Sequence, residues 1–169
     1  VEDGVNFIIG TFSKSVGTVG GFCVSSHPKF EILRLVCRPY IYTASLPPSV
    51  VASAKASIET LKFGDNIRGA LWSNANKLHS GLKNAGFNLG TDEPESPIIA
   101  ICLENSNIVT RFWSELLDNG IYVNMAIPPA TPNGLNLLRC SVCAVHTPEQ
   151  IEAIISKFIT IGKKMVIIS

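Results

Sequence analysis

Two cations and a set of hydroxyls are the residues of this chain best suited to chemistry. Lys14 stands in GTFSKSVGTVGGF, residues 10–22, a run of small and hydroxyl residues between two apolar stretches. Thr11, Ser13 and Ser15 surround it with hydroxyls, and Gly17, Gly20 and Gly21 allow close approach of backbone to a ligand. Three readings compete for the lysine: a solvated loop charge, a phosphate clamp or a reactive amine. A Walker-type loop sets its lysine after the last glycine, at a helix start. Here Lys14 precedes Gly17, Gly20 and Gly21, and a strand-like run follows, so that geometry is excluded. A dinucleotide fingerprint fails too, on glycine spacing and on the lack of a helix opening there. Most loop lysines are simply wet. Against that, Phe12 and Val16 flank Lys14, and the rest of its surroundings suit a flat anionic cofactor. Partial burial lowers a lysine pKa, which frees the amine to form a Schiff base.

Arg139 lies in Leu135-Asn-Leu-Leu-Arg-Cys-Ser-Val-Cys143. Strand alternation sets Leu135, Leu137, Arg139 and Ser141 on one face. A guanidinium in such a strand is costly without an anion, which is either a structural carboxylate or a ligand's. Cys140 and Cys143 form one CxxC, but a zinc site needs two more ligands at matching spacing and none is near. They read as small apolar strand residues, and no metal is expected. His27, His79 and His146 share no ligand spacing, and Phe112-Trp113 reads as core packing.

The elements that must position these residues follow from pattern. Val5–Ile9 and Gly20–Ser25 read as buried strands joined by the Lys14 segment. A short helix covers Lys29–Cys37 and stops at Arg38-Pro39. Tyr40–Ser45 reads as extended. Pro47-Pro48 starts a long helical region reaching about Lys83, weakened at Gly64 and Gly69 and closed by Gly86. Pro97–Leu103 is a strand. Asn105 or Ser106 caps a helix with Val109, Phe112, Trp113, Leu116 and Leu117 inside, ended by Asn119-Gly120. Ile121–Met125 and Leu135–Val145 are strands, separated by the rigid Pro128–Pro132 loop. Thr147-Pro-Glu-Gln150 is a capping box, and Ile151, Ile154, Ile155, Phe158, Ile161 and Met165 stripe the helix after it. This order predicts an α/β fold: the edge of a large α/β layer, then a smaller α+β domain. The chain opens on a strand with nothing earlier to pair with, so it is read as a C-terminal portion.

Composition narrows the classes. Of 169 residues, 46% are hydrophobic and 16% charged, which is apolar for a soluble monomer and predicts a covered contact surface or partner chain. The net charge of +1 has no basic cluster behind it, so nucleic acid is not an expected partner. There is no 18-residue apolar stretch and no signal-like start. Five cysteines, an odd number, fit a reducing, cytoplasmic setting.

GTFSKSVGTVGGF, YIYTASLPPSV, YVNMAIPPATP and LLRCSVCAVHTPEQI together resemble the α-oxoamine synthases, and the resemblance runs the length of the chain in order. These are pyridoxal 5'-phosphate enzymes of the aspartate-aminotransferase fold type I. The resemblance implies the end of the cofactor-binding large domain over 1–48, and linking helices with a small C-terminal α+β domain over 49–169. It implies that Lys14 holds the cofactor as an internal aldimine and later removes the α-proton. Thr11 and Ser13 match phosphate contacts. Thr43 matches a residue reaching the other subunit's cofactor phosphate, so the expected state is a homodimer with shared active sites. Arg139 matches the substrate-carboxylate arginine.

The family member whose motifs are most similar condenses L-serine with palmitoyl-CoA, with loss of CO₂, to 3-oxosphinganine. That is the expected activity, with peripheral membrane contact through the lipid product. The alternatives are glycine or alanine with another acyl-CoA, or a non-catalytic homologous subunit, which the presence of Lys14 opposes. Members using L-serine commonly carry an arginine just before PPATP, where this chain has Ile127. The family's ring-nitrogen aspartate and ring-stacking histidine match nothing in this chain and are expected upstream of Val1. The 169 residues alone are therefore expected to turn over nothing.

Overall fold

The computed structural model describes residues 2–169, which form two compact units, residues 2–65 and 66–169. In the first unit a 3₁₀ turn at Glu2–Gly4 precedes β1 (Ile8–Thr11) and β2 (Gly21–Val24). They pair antiparallel with Ile8 opposite Val24 and Thr11 opposite Gly21. Gly21 is required there: a Cβ on it would lie 2.4 Å from the Gly10 carbonyl oxygen. A 3₁₀ turn (Phe30–Ile32) then runs into two one-turn helices, α1 (Leu33–Val36) and α2 (Arg38–Ile41). α3 (Pro48–Lys62) closes the unit.

Several expectations for this unit are corrected. The strands are not buried: Ile9 is 79% exposed, and Phe22 and Val24 are also exposed. An apolar run marks a strand meant for cover on both faces, but a two-stranded ribbon supplies none. The short helix stops before Arg38-Pro39, with Cys37 extended, but the same pair also starts a second helix. Pro39 falls at the helix N-terminus, where a missing N–H costs nothing. Tyr40 and Ile41 are therefore helical, and Thr43 lies in the loop after them rather than in an extended segment. The long helical region divides at Phe63-Gly64, between α3 and α4 (Asp65–Asn84), while Gly69 stays helical.

The second unit is a three-stranded antiparallel sheet with helices on one face. β3 (Ile98–Leu103), β4 (Asn124–Ala126) and β5 (Asn136–Ser141) lie in the order β3-β5-β4. α5 (Ser106–Asp118) and α6 (Pro148–Lys164) pack against them with α4. The core combines Leu78 and Leu82 of α4, Val109, Phe112 and Leu116 of α5, and Ile151, Phe158 and Ile161 of α6. Ile99, Ile101, Leu138 and Cys140 of the sheet join it, with Phe87, Val123 and Val142 from the connections and Ile168 from the segment after α6. Phe87, Phe112 and Phe158 meet pairwise at 5.6–6.0 Å between ring centroids.

The caps are as local sequence dictates. Asn105 accepts from the Ile108 N–H, and Thr147 and Gln150 form a reciprocal capping box with Pro148 at the first turn. Two strands are shorter than their apolar runs. Ile121 spends its N–H on the Leu116 carbonyl, and Val123 accepts from the Trp113 indole, so β4 begins only at Asn124. β5 ends at Ser141 because the buried Asn74 amide donates to the Cys143 and His146 carbonyls and fixes that loop. Cys140 is buried in β5, whereas Cys143 lies beyond it and is exposed. Among the described residues no helix is long and apolar enough to cross a membrane.

Candidate functional site

The β1–β2 hairpin carries Lys14 at its loop. Beyond the last ladder pair Phe12 N–H donates to the Gly20 carbonyl, and Thr18 N–H closes the loop on the Phe12 carbonyl. Gly17 N–H closes a turn on the Lys14 carbonyl at 2.9 Å, and Gly17 takes a φ of 70°, which a side chain would strain. The lysine is exposed at the start of this turn, and among the described residues no hydrogen bond or ion pair holds its Nζ.

Two hydroxyls sit on the strand side of that turn. Thr11 Oγ1 and Ser13 Oγ are 2.8 Å apart, and Ser13 N–H also donates to Thr11 Oγ1 at 3.3 Å. The hydroxyl pair is thus preformed, with Lys14 the next residue along. Beneath the loop, Phe12 and Phe22 rings meet at 5.5 Å, and a Cβ on Gly20 would strike Leu46. A primary amine, two adjacent hydroxyls and a close-packed glycine turn suit a ligand that carries both a carbonyl and an anionic group. Thr43 is in the same unit, in the loop after α2, and no hydrogen bond of its side chain joins it to Thr11, Ser13 or Lys14 among the described residues.

In the second unit Arg139 stands on β5, on the sheet face away from the helices. Asn136, Leu138 and Cys140 turn inward, while Arg139 and Ser141 are exposed. The alternation read from sequence is correct, but the face is open, and among the described residues no carboxylate pairs with the guanidinium. Among the described residues the structural salt bridge is therefore not formed. Asn124, which the sequence alone gave no reason to single out, faces Arg139 across the β4–β5 ladder. Its signal is strand register, which links positions 15 residues apart. Ile127 packs against the core on the other side. Burial pushes the Cys140 thiol up to about 12, and burial also raises Cys102. Glu149, at the start of α6, is held below the usual carboxylate range by its own backbone N–H and then by the Thr147 hydroxyl. Among the described residues no three His, Cys, Asp or Glu side chains gather as a metal site.

Residues 1–158 match the family model for aminotransferase class I and II. The chain belongs to that family. Two curated members are serine palmitoyltransferases, from Sphingomonas paucimobilis and from Caulobacter vibrioides (strain NA1000 / CB15N). The first is 56% identical over 168 residues, the second 45%, each match covering 99% of this chain. A high-resolution structure of SPT with PLP internal aldimine is 57% identical, with a TM-score of 0.94, and the match covers 97% of this chain and 41% of that one. This aminotransferase-family chain spans about 40% of the length of the curated relatives it matches. Its mixed α/β architecture is that of the same solved fold.

Proposed function

We propose that these residues form part of a pyridoxal 5'-phosphate-dependent serine palmitoyltransferase. The reaction joins L-serine to palmitoyl-CoA, releasing CO₂ and coenzyme A, and gives 3-oxosphinganine. The observation that carries this reading is the 56% identity to the Sphingomonas paucimobilis enzyme across 99% of the chain.

The donor set fits the cofactor. Lys14 Nζ would hold its aldehyde carbon, and the Thr11 and Ser13 hydroxyls, already 2.8 Å apart, would turn toward its phosphate. Thr43 of one copy would serve the phosphate bound by a second copy, making a homodimer with shared sites. When bound, the cofactor supplies a conjugated ring that accepts the electron pair left at the amino acid's α-carbon. The protein's own contributions are positional and acid–base. Arg139 takes the L-serine carboxylate through paired N–H donors. The Lys14 amine, once released, takes the α-proton as general base. In this reading residues 1–48 end the cofactor-binding large domain, and 49–169 are linking helices and the small domain. The enzyme works in the cytoplasm and meets membrane through its lipid product.

A second reading, glycine or alanine with another acyl-CoA, is favoured by Ile127, an apolar residue packed on the core just before PPATP. The full-length protein carrying these residues distinguishes the two: product is measured from palmitoyl-CoA with L-serine, glycine or L-alanine. L-Serine is expected to win, and preference for glycine overturns the assignment. Borohydride reduction is expected to leave a phosphopyridoxyl group on Lys14. Lys14→Ala is expected to lose that adduct and about 100-fold or more of the rate. An unmodified Lys14 in the wild type points instead to a non-catalytic subunit.

A further inference from the structure

We infer that Asn124 is a second donor to the substrate carboxylate, beside Arg139; this rests on the preceding reading that Arg139 receives that carboxylate. The β4–β5 register pairs Asn124 with Arg139. Directly paired residues share a face, with Cβ atoms about 4.5–5.5 Å apart. On its other flank Arg139 is paired with Ala100, whose methyl leaves the guanidinium room. The remaining outward neighbours on β5 are Leu137 and Ser141, so among the described residues nothing beside Arg139 on this sheet face carries a negative charge.

The Asn124 amide is poised as a donor. Its Oδ1 accepts from the Tyr122 hydroxyl at 3.4 Å, and among the described residues its Nδ2 has no acceptor. A carboxylate offers about four lone-pair sites, and a bidentate guanidinium takes two of them. A carboxamide N–H in the next strand takes a third. Ile127 cannot do so: it is apolar, and it packs against the core while Asn124 faces Arg139. The chain thus has a carboxylate-binding pair on adjacent strands, independent of position 127.

The test is a binding titration, not turnover. The full-length protein loaded with pyridoxal phosphate is titrated with L-serine without acyl-CoA, following cofactor absorbance. A parallel titration uses L-serine methyl ester, which keeps the amine and hydroxyl but not the carboxylate charge. Asn124→Ala is expected to weaken L-serine about 5–10-fold and leave the ester unchanged. Asn124→Asp, which sets a carboxylate against Arg139, is expected to weaken L-serine further. Asn124→Ser, a smaller change that also removes the amide, must show the same selective loss if Asn124→Ala proves unstable. Unchanged L-serine affinity, or an equal loss for both ligands, overturns the inference. A wild type that answers to glycine but not L-serine overturns the substrate reading alone, and glycine against its methyl ester then tests Asn124 in the same variants. A wild type answering to no amino acid overturns both.

Discussion

Cys140 and Cys143 are three residues apart, yet one sits in the core and the other at the surface. The difference comes from the strand ending between them, at Ser141. A thiolate, not a thiol, reacts with alkylating reagents. In the native full-length protein a maleimide is therefore expected to label Cys143 at pH 7–8 and spare Cys140 until denaturant is added. Mass spectrometry of the labelled peptides reads this directly, and early modification of Cys140 would contradict the packing. The alkaline limb follows from the same burial. The folded Cys140 thiol lies at about 12 against an ordinary 9.0, so the fold favours the protonated form. That contribution is complete below about pH 9 and is lost as pH rises toward 12. Cys140→Ala is expected to flatten this part of the alkaline stability slope.

Among the elements, α6 was the most legible in sequence because its determinants are local. Thr147, Pro148 and Gln150 fix its start within four residues, and its apolar stripe repeats at helical spacing. Phe158 on that stripe meets Phe87 and Phe112, so it joins α6 to α5 and to the segment after α4. Phe158→Ala is expected to cost about 3–5 kcal/mol, measured by urea unfolding of the full-length protein. Elements whose form depends on distant partners were less legible. Tyr40 and Ile41 looked extended by residue type, but the preceding Pro39 starts a helical turn. β5 is shorter than its apolar run because its end is set by Asn74, a residue 69 positions from Cys143. The Lys14 loop is legible as a connection between two strands, since glycines and hydroxyls mark it locally. The face of Arg139 was also legible by alternation. Its neighbour Asn124 was not, because register is absent from any single strand's pattern.

At the scale of the whole chain, the two units differ in how much core they own. The second buries Phe112, Phe158, Leu78, Leu82, Ile101, Leu116, Leu138 and Ile151 almost completely. In the first, only Ala54 and Gly64 are buried among the described residues. Residues 66–169 expressed alone are expected to unfold cooperatively with protected amides in β3, β5 and α6. Residues 1–65 alone are expected to exchange their amides within seconds. Hydrogen exchange with mass readout compares the two, and slow exchange in an isolated β1–β2 hairpin would refute this.

The glycines of the Lys14 hairpin have a consequence for how far its sequence can drift. Gly17 and Gly20 hold φ of 70° and 91°, and a Cβ on Gly20 or Gly21 would strike Leu46 or the Gly10 carbonyl oxygen. These three positions therefore admit little but glycine, whatever the lysine between the strands is asked to do. Variation in this segment falls on its exposed side chains, such as Val19, and leaves the backbone path that carries Lys14 unchanged.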